Sequence, residues 1–97
     1  MNMHDWILLK IGVEWSKGEL VIGLVDANSA PVEIKASGIR TFRLERSHAW
    51  GESSSLYEAI GPMEVDSGFS RLSLMMQSGD ALVVEAKSFV LPVKIVR

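Results

Sequence analysis

The sequence predicts an all-β domain, built as an antiparallel two-sheet sandwich or partly open barrel of seven or eight strands. Three observations carry that expectation. Apolar residues recur at spacing two along most of the chain, as in half-buried strands. Turn-forming Gly, Ser and Asp punctuate those runs at short intervals. No stretch shows helical periodicity. Strands linked this closely run antiparallel, and without a helix to cover them their apolar faces must cover one another.

The elements follow in order. Ile7, Leu9, Ile11, Val13 and Trp15 alternate with Trp6, Leu8, Lys10, Gly12 and Glu14, which sets the first group inward. Ser16-Lys17-Gly18 turns the chain, and Leu20, Ile22 and Leu24 again repeat at spacing two. A two- or four-residue loop keeps both apolar sets on one face, whereas a three-residue loop turns Val21 and Val25 inward. A one-residue slip flips every side chain, so the first arrangement is expected. Residues 26–31 read as a loop. Val32, Ile34 and Ala36 form the next strand, and Ser37-Gly38 turns the chain into another over 39–46, where Phe42 and Leu44 oppose Thr41, Arg43 and Glu45.

The segment 47–55 breaks the alternation. Leu56, Glu58 and Ile60, interleaved with Tyr57 and Ala59, resume it up to Gly61-Pro62, and Met63 and Val65 extend the strand past a bulge. After the turn at Asp66-Ser67-Gly68 comes the best-defined hairpin. A three-residue Gln77-Ser78-Gly79 loop sets Leu74 opposite Leu82 and Leu72 opposite Val84, and Gly79 stands where a left-handed residue is needed. Phe89, Leu91, Val93 and Ile95 mark a last strand. Its Pro92 cannot donate to a ladder, which suits an edge.

At 97 residues the chain fits one domain over residues 1–97. A domain of this size buries roughly 60–65% of its unfolded surface, so a homodimer is one source of extra burial. The 47% apolar and 23% charged fractions exclude a disordered chain. Ten basic residues against twelve acidic ones leave no excess for a phosphate backbone, and Glu45 interrupts the cluster of Arg40, Arg43 and Arg46, so no nucleic-acid partner is expected. With no cysteine, thiolate chemistry, disulfides and zinc-thiolate sites are excluded, and the chain leans toward a reducing cytoplasm. The apolar stretch 6–13 lacks the basic flank and cleavage site of a signal segment and is too short to span a bilayer. No membrane association is expected.

The segment 47–55 is the leading candidate for function, because function collects on loops held by a rigid scaffold. It carries His48, Trp50, Glu52 and Ser53. Trp50 either offers a ring to a partner or sugar, or folds inward to plug one end of the domain. Tyr57 borders this loop. Trp6 and Leu8 form an exposed patch if their face of the first strand points outward; cover by residues 1–4 is the alternative. A hydrolase built on His48 and one of Ser53, Ser54 or Ser55 is chemically conceivable, but Gly-x-Ser-x-Gly is absent and turn serines account for the run. His4-Asp5 and His48 with Glu52 match no metal-binding spacing. No phosphate loop or dinucleotide fingerprint is present, so neither a metal nor a cofactor is expected.

Trp50-Gly51-Glu52-Ser53 and Met76-Gln77-Ser78-Gly79-Asp80, with Asp5-Trp6 and Val13-Glu14-Trp15, resemble strings in a group of small bacterial all-β proteins of unknown function. That group has a Trp-Gly-x-Ser loop after a basic strand and a Gln-Ser-Gly-Asp hairpin. Some small bacterial β-rich proteins of this kind look like immunity proteins from toxin systems. The resemblance implies a bacterial, cytoplasmic, non-enzymatic protein and assigns no catalytic residue. Two expectations therefore stand side by side: a protein-binding module centred on the aromatic loop, and a small-ligand or carbohydrate binder using Trp50 and Tyr57.

Overall fold

The structure, a computed structural model, describes residues 3–46 and 55–92. They form six strands: β1 (Ile7–Glu14), β2 (Glu19–Val25), β3 (Pro31–Leu44), β4 (Leu56–Asp66), β5 (Phe69–Met76) and β6 (Ala81–Val90). A single 3-10 turn, Trp15–Lys17, joins β1 to β2. All pairings are antiparallel, in one open sheet of order β1-β2-β3-β6-β5-β4. No helix among the described residues is long and apolar enough to cross a membrane.

The strand count is lower than expected because two apparent breaks are bends within continuous strands. At Ser37-Gly38 the chain does not reverse. Gly38 takes a left-handed φ of 68°, and Arg40 is the extra residue of a bulge between Ile39 and Thr41. The stem of Lys87 packs where a side chain at position 38 would stand. Opposite, β6 continues without a break in pairing through Lys87 and Ser88: Ile39 pairs with Ala86 and Ala36 with Phe89. Ala86 and Phe89 both face the core although three residues apart, so the apolar pattern changes parity inside one strand. Bulges and bends of this kind make the corners of curved sheets.

One face of the sheet holds the core. Leu20, Ile22, Leu24, Ile34, Leu56, Leu72, Leu74, Leu82 and Val84 are fully buried and belong to one cluster with Ala36, Met76, Ala86 and Met3. No helix among the described residues covers them, and the two ends of the sheet touch at Ile7 and Ser55. Burial of each such side chain contributes about 1.5–3 kcal/mol.

Two local expectations meet different outcomes. In the β5–β6 hairpin Leu72 pairs with Val84 and Leu74 with Leu82, and Gly79 takes φ 95° while its N–H donates to the Met76 carbonyl at 2.9 Å. In β1, by contrast, the inward set of Ile7, Leu9, Ile11, Val13 and Trp15 does not hold. Leu8 pairs with Leu24, then Leu9 bulges out, and Ile11 and Val13 pair with Ile22 and Leu20. Trp6, Leu8 and Ile11 therefore pack against the core. Leu9 is 61% exposed, Val13 47% and Trp15, in the turn, 92%.

Candidate functional site

The two ends of the sheet meet at one place. The Asp5 N–H donates to the Leu56 carbonyl at 2.9 Å, and the Leu56 N–H donates to the Trp6 carbonyl at 2.7 Å. Ile7 bridges Ser55, and the Gln77 N–H donates to the Ser55 carbonyl at 2.9 Å. This seam ties the chain before β1 to the start of β4 and to the β5–β6 hairpin.

Side chains reinforce it. Gln77 Nε2 donates to Asp5 Oδ1 at 2.6 Å and to the Leu56 carbonyl at 3.2 Å. Asp5 itself has φ 70°, a conformation that Asp and Asn tolerate better than most side chains. His4 Nδ1 lies 3.2 Å from Asp5 Oδ2, and the His4 ring meets Tyr57 edge-on at 5.9 Å. Below the hairpin, Ser78 Oγ donates to the buried Asp80 carboxylate at 2.9 Å.

Of the expected site residues, Tyr57 stands on this seam, 57% exposed. Trp6 is half-buried against the core, so no outward Trp6–Leu8 patch forms. His48, Trp50, Glu52 and Ser53 lie outside the described residues. Of the described residues that flank this segment, Ser55 is part of the seam, and the Glu45 N–H donates to the Ala81 carbonyl of β6 at 3.1 Å. His4, Asp5 and Gln77 were missed as a cluster. Asp5 and Gln77 are 72 positions apart, and no local pattern announces such a contact, although both fall in the strings that carry the resemblance.

A second polar constellation occupies the outer face. Thr41 and Arg71 flank Glu85 as its direct cross-strand neighbours. Arg71 donates to Glu85 Oε2 from Nε at 2.9 Å and Nη2 at 2.7 Å. Arg40, re-aimed by its bulge, donates to Glu85 Oε1 at 3.0 Å and forks onto Asp66 at 2.9 and 3.1 Å, with its guanidinium 4.3 Å from the Phe69 ring centre. Hydrogen bonds from Arg71 and then Arg40 hold the Glu85 carboxyl below the usual carboxylate range. Asp66 and then Glu85 raise Arg40. Every charge in this cluster has an opposite neighbour, which suits a brace between β3, β6, β5 and β4 better than an anion site.

A cleft of about 230 Å³, lined by Gly12, Val13, Glu14, Glu19 and Val21, opens at the far end of β1. No group of three or more His, Asp or Glu among the described residues has metal-site geometry.

No family model and no curated protein matches the chain. A solved structure described as an uncharacterized protein from Neisseria gonorrhoeae is similar in fold, with a TM-score of 0.63 over 93% of each chain at 15% sequence identity. At that identity the likeness concerns the fold.

Proposed function

We propose that this chain is a non-enzymatic protein-binding module, of the kind that immunity proteins represent, acting in a bacterial cytoplasm. The observation that carries the reading is where the apolar surface lies. Ten large apolar side chains are exposed among the described residues. Seven of them, Ile7, Leu9, Val13, Trp15, Tyr57, Ile60 and Met63, stand on the two edge strands or the turn after β1. Scattered apolar residues need no explanation, but concentrated ones mark association surfaces. On the β4 side, Tyr57 borders the segment that contains Trp50, and aromatic side chains are frequent anchors of binding energy. The absence of cysteine is what favours a reducing compartment. In this reading the domain is a partly open barrel, supported by the seam between Asp5, Trp6 and Leu56.

A toxin-like product encoded beside this gene is the partner to test. Binding of the purified pair by titration calorimetry should weaken at least about tenfold for Tyr57→Ala or Trp50→Ala, with the circular dichroism spectrum unchanged. Binding unaffected by both substitutions overturns the proposed surface.

A further inference from the structure

We propose that two copies of this chain pair edge to edge through β1, antiparallel about a two-fold axis at Gly12. This contact assigns the β1 share of the exposed apolar residues to a second copy, and its variants on β1 are distinct from the β4-side and loop substitutions that test the partner surface.

The two sheet edges differ. Along β4 the register slips three times, around Tyr57, at Gly61-Pro62 and at Val65, and Pro62 has no N–H to give. Bulges and proline are the devices that protect an edge from pairing. β1 slips once, at Leu9, and is then regular through residues 10–14, each opposite one residue of β2. Among the described residues no strand pairs with 10–14 on the side away from β2. An unpaired, regular edge of this kind is a template for another strand.

The sequence of this edge is complementary to itself in one register. Centred on Gly12, an antiparallel pair sets Lys10 of each copy opposite Glu14 of the other, Ile11 opposite Val13, and Gly12 opposite Gly12. Centring on Ile11 sets Lys10 against Gly12 and Glu14 against Leu8. Centring on Val13 sets Glu14 against Gly12 and Lys10 against Ser16. Both alternatives lose both charge pairs. In the isolated chain Lys10 has no acidic partner among the described residues, and Glu14, which stands opposite Glu19 on β2, has the exposed Lys17 as its cation at 3.8 Å. The same register brings Leu9, 61% exposed, to the Trp15 end of the other copy, and Trp15 is the most exposed large apolar side chain described. No atom lies within 4 Å of the Cβ position at Gly12, so the space over the face of the sheet there is open. Two-fold pairing of identical edges closes the assembly at two chains, and so short an edge gives a reversible dimer.

Sedimentation equilibrium across a concentration series tests this. The wild-type mass should rise from one chain to two. Lys10→Glu and Glu14→Lys should each weaken the dimer about tenfold or more, because symmetry turns two opposite-charge pairs into two like-charge pairs. An equimolar mixture of the two variants should restore it, since every cross-strand pair is then opposite in sign. Gly12→Cys introduces the chain's single thiol and should cross-link on mild oxidation faster than a Glu58→Cys control on β4. A wild-type mass of one chain up to about 1 mM, or variants that dimerise as the wild type does, would overturn the proposal. Circular dichroism of each variant separates lost pairing from lost folding.

Discussion

Glu85 on β6 accepts from side chains of β3 and β5, and Arg40 extends the network to Asp66 on β4. Its partners Arg71 and Arg40 lower the pKa of Glu85 in the folded chain, while in the unfolded chain it titrates near the ordinary value of about 4.5. A carboxyl depressed on folding contributes stability that is fully present above that value and is lost as pH falls through it toward the folded one. Urea denaturation at pH 7 and in mild acid should therefore show stability falling with acidity, and Glu85→Gln should flatten that fall. An acid limb unchanged in the variant means the brace carries no linkage. The buried residues act by packing instead. Leu74, fully buried between Ala59 and Leu82, should cost about 2–5 kcal/mol when truncated to alanine, read as a shifted denaturation midpoint at unchanged slope.

Elements differ in how openly the chain announces them. The β5–β6 hairpin was legible because its turn chemistry and its apolar pattern require the same register. Gly79, at φ 95°, should therefore resist substitution: Gly79→Ala should destabilise by about 1 kcal/mol. Gly12→Ala, at a position with no positive φ and open space around its Cβ, should change stability by less than about 0.5 kcal/mol. Thermal unfolding of the two variants checks the contrast. β1 misleads because period two is unbroken in its sequence while the bulge at Leu9 breaks it in space. A bulge that leaves an apolar residue exposed has no local composition signal. β3 and β6 mislead in the opposite sense. A left-handed glycine and a change of parity look like turns between strands, yet the backbone bends and continues. These are the corners that let one sheet do what two sheets were expected to do.

At the scale of the molecule, curvature brings β1 and β4 together although they lie at opposite ends of the strand order. The all-β class could be read from residue patterns. The seam could not, because its bonds join Asp5 to Gln77 and Trp6 to Leu56 across most of the chain. Gln77→Leu removes two hydrogen bonds at the seam and should destabilise the domain by about 1–2 kcal/mol, measured by chemical denaturation. The candidate binding surface depends on that junction, since Ser55 and Leu56 fix where the segment 47–54 rejoins the sheet. Amide hydrogen exchange at Leu56 tests this most directly. Its N–H should exchange as slowly as those of the central strands β3 and β6, because it is buried and donates to Trp6 across the junction. Exchange at the rate of an exposed chain end would mean that the two ends of the sheet do not meet.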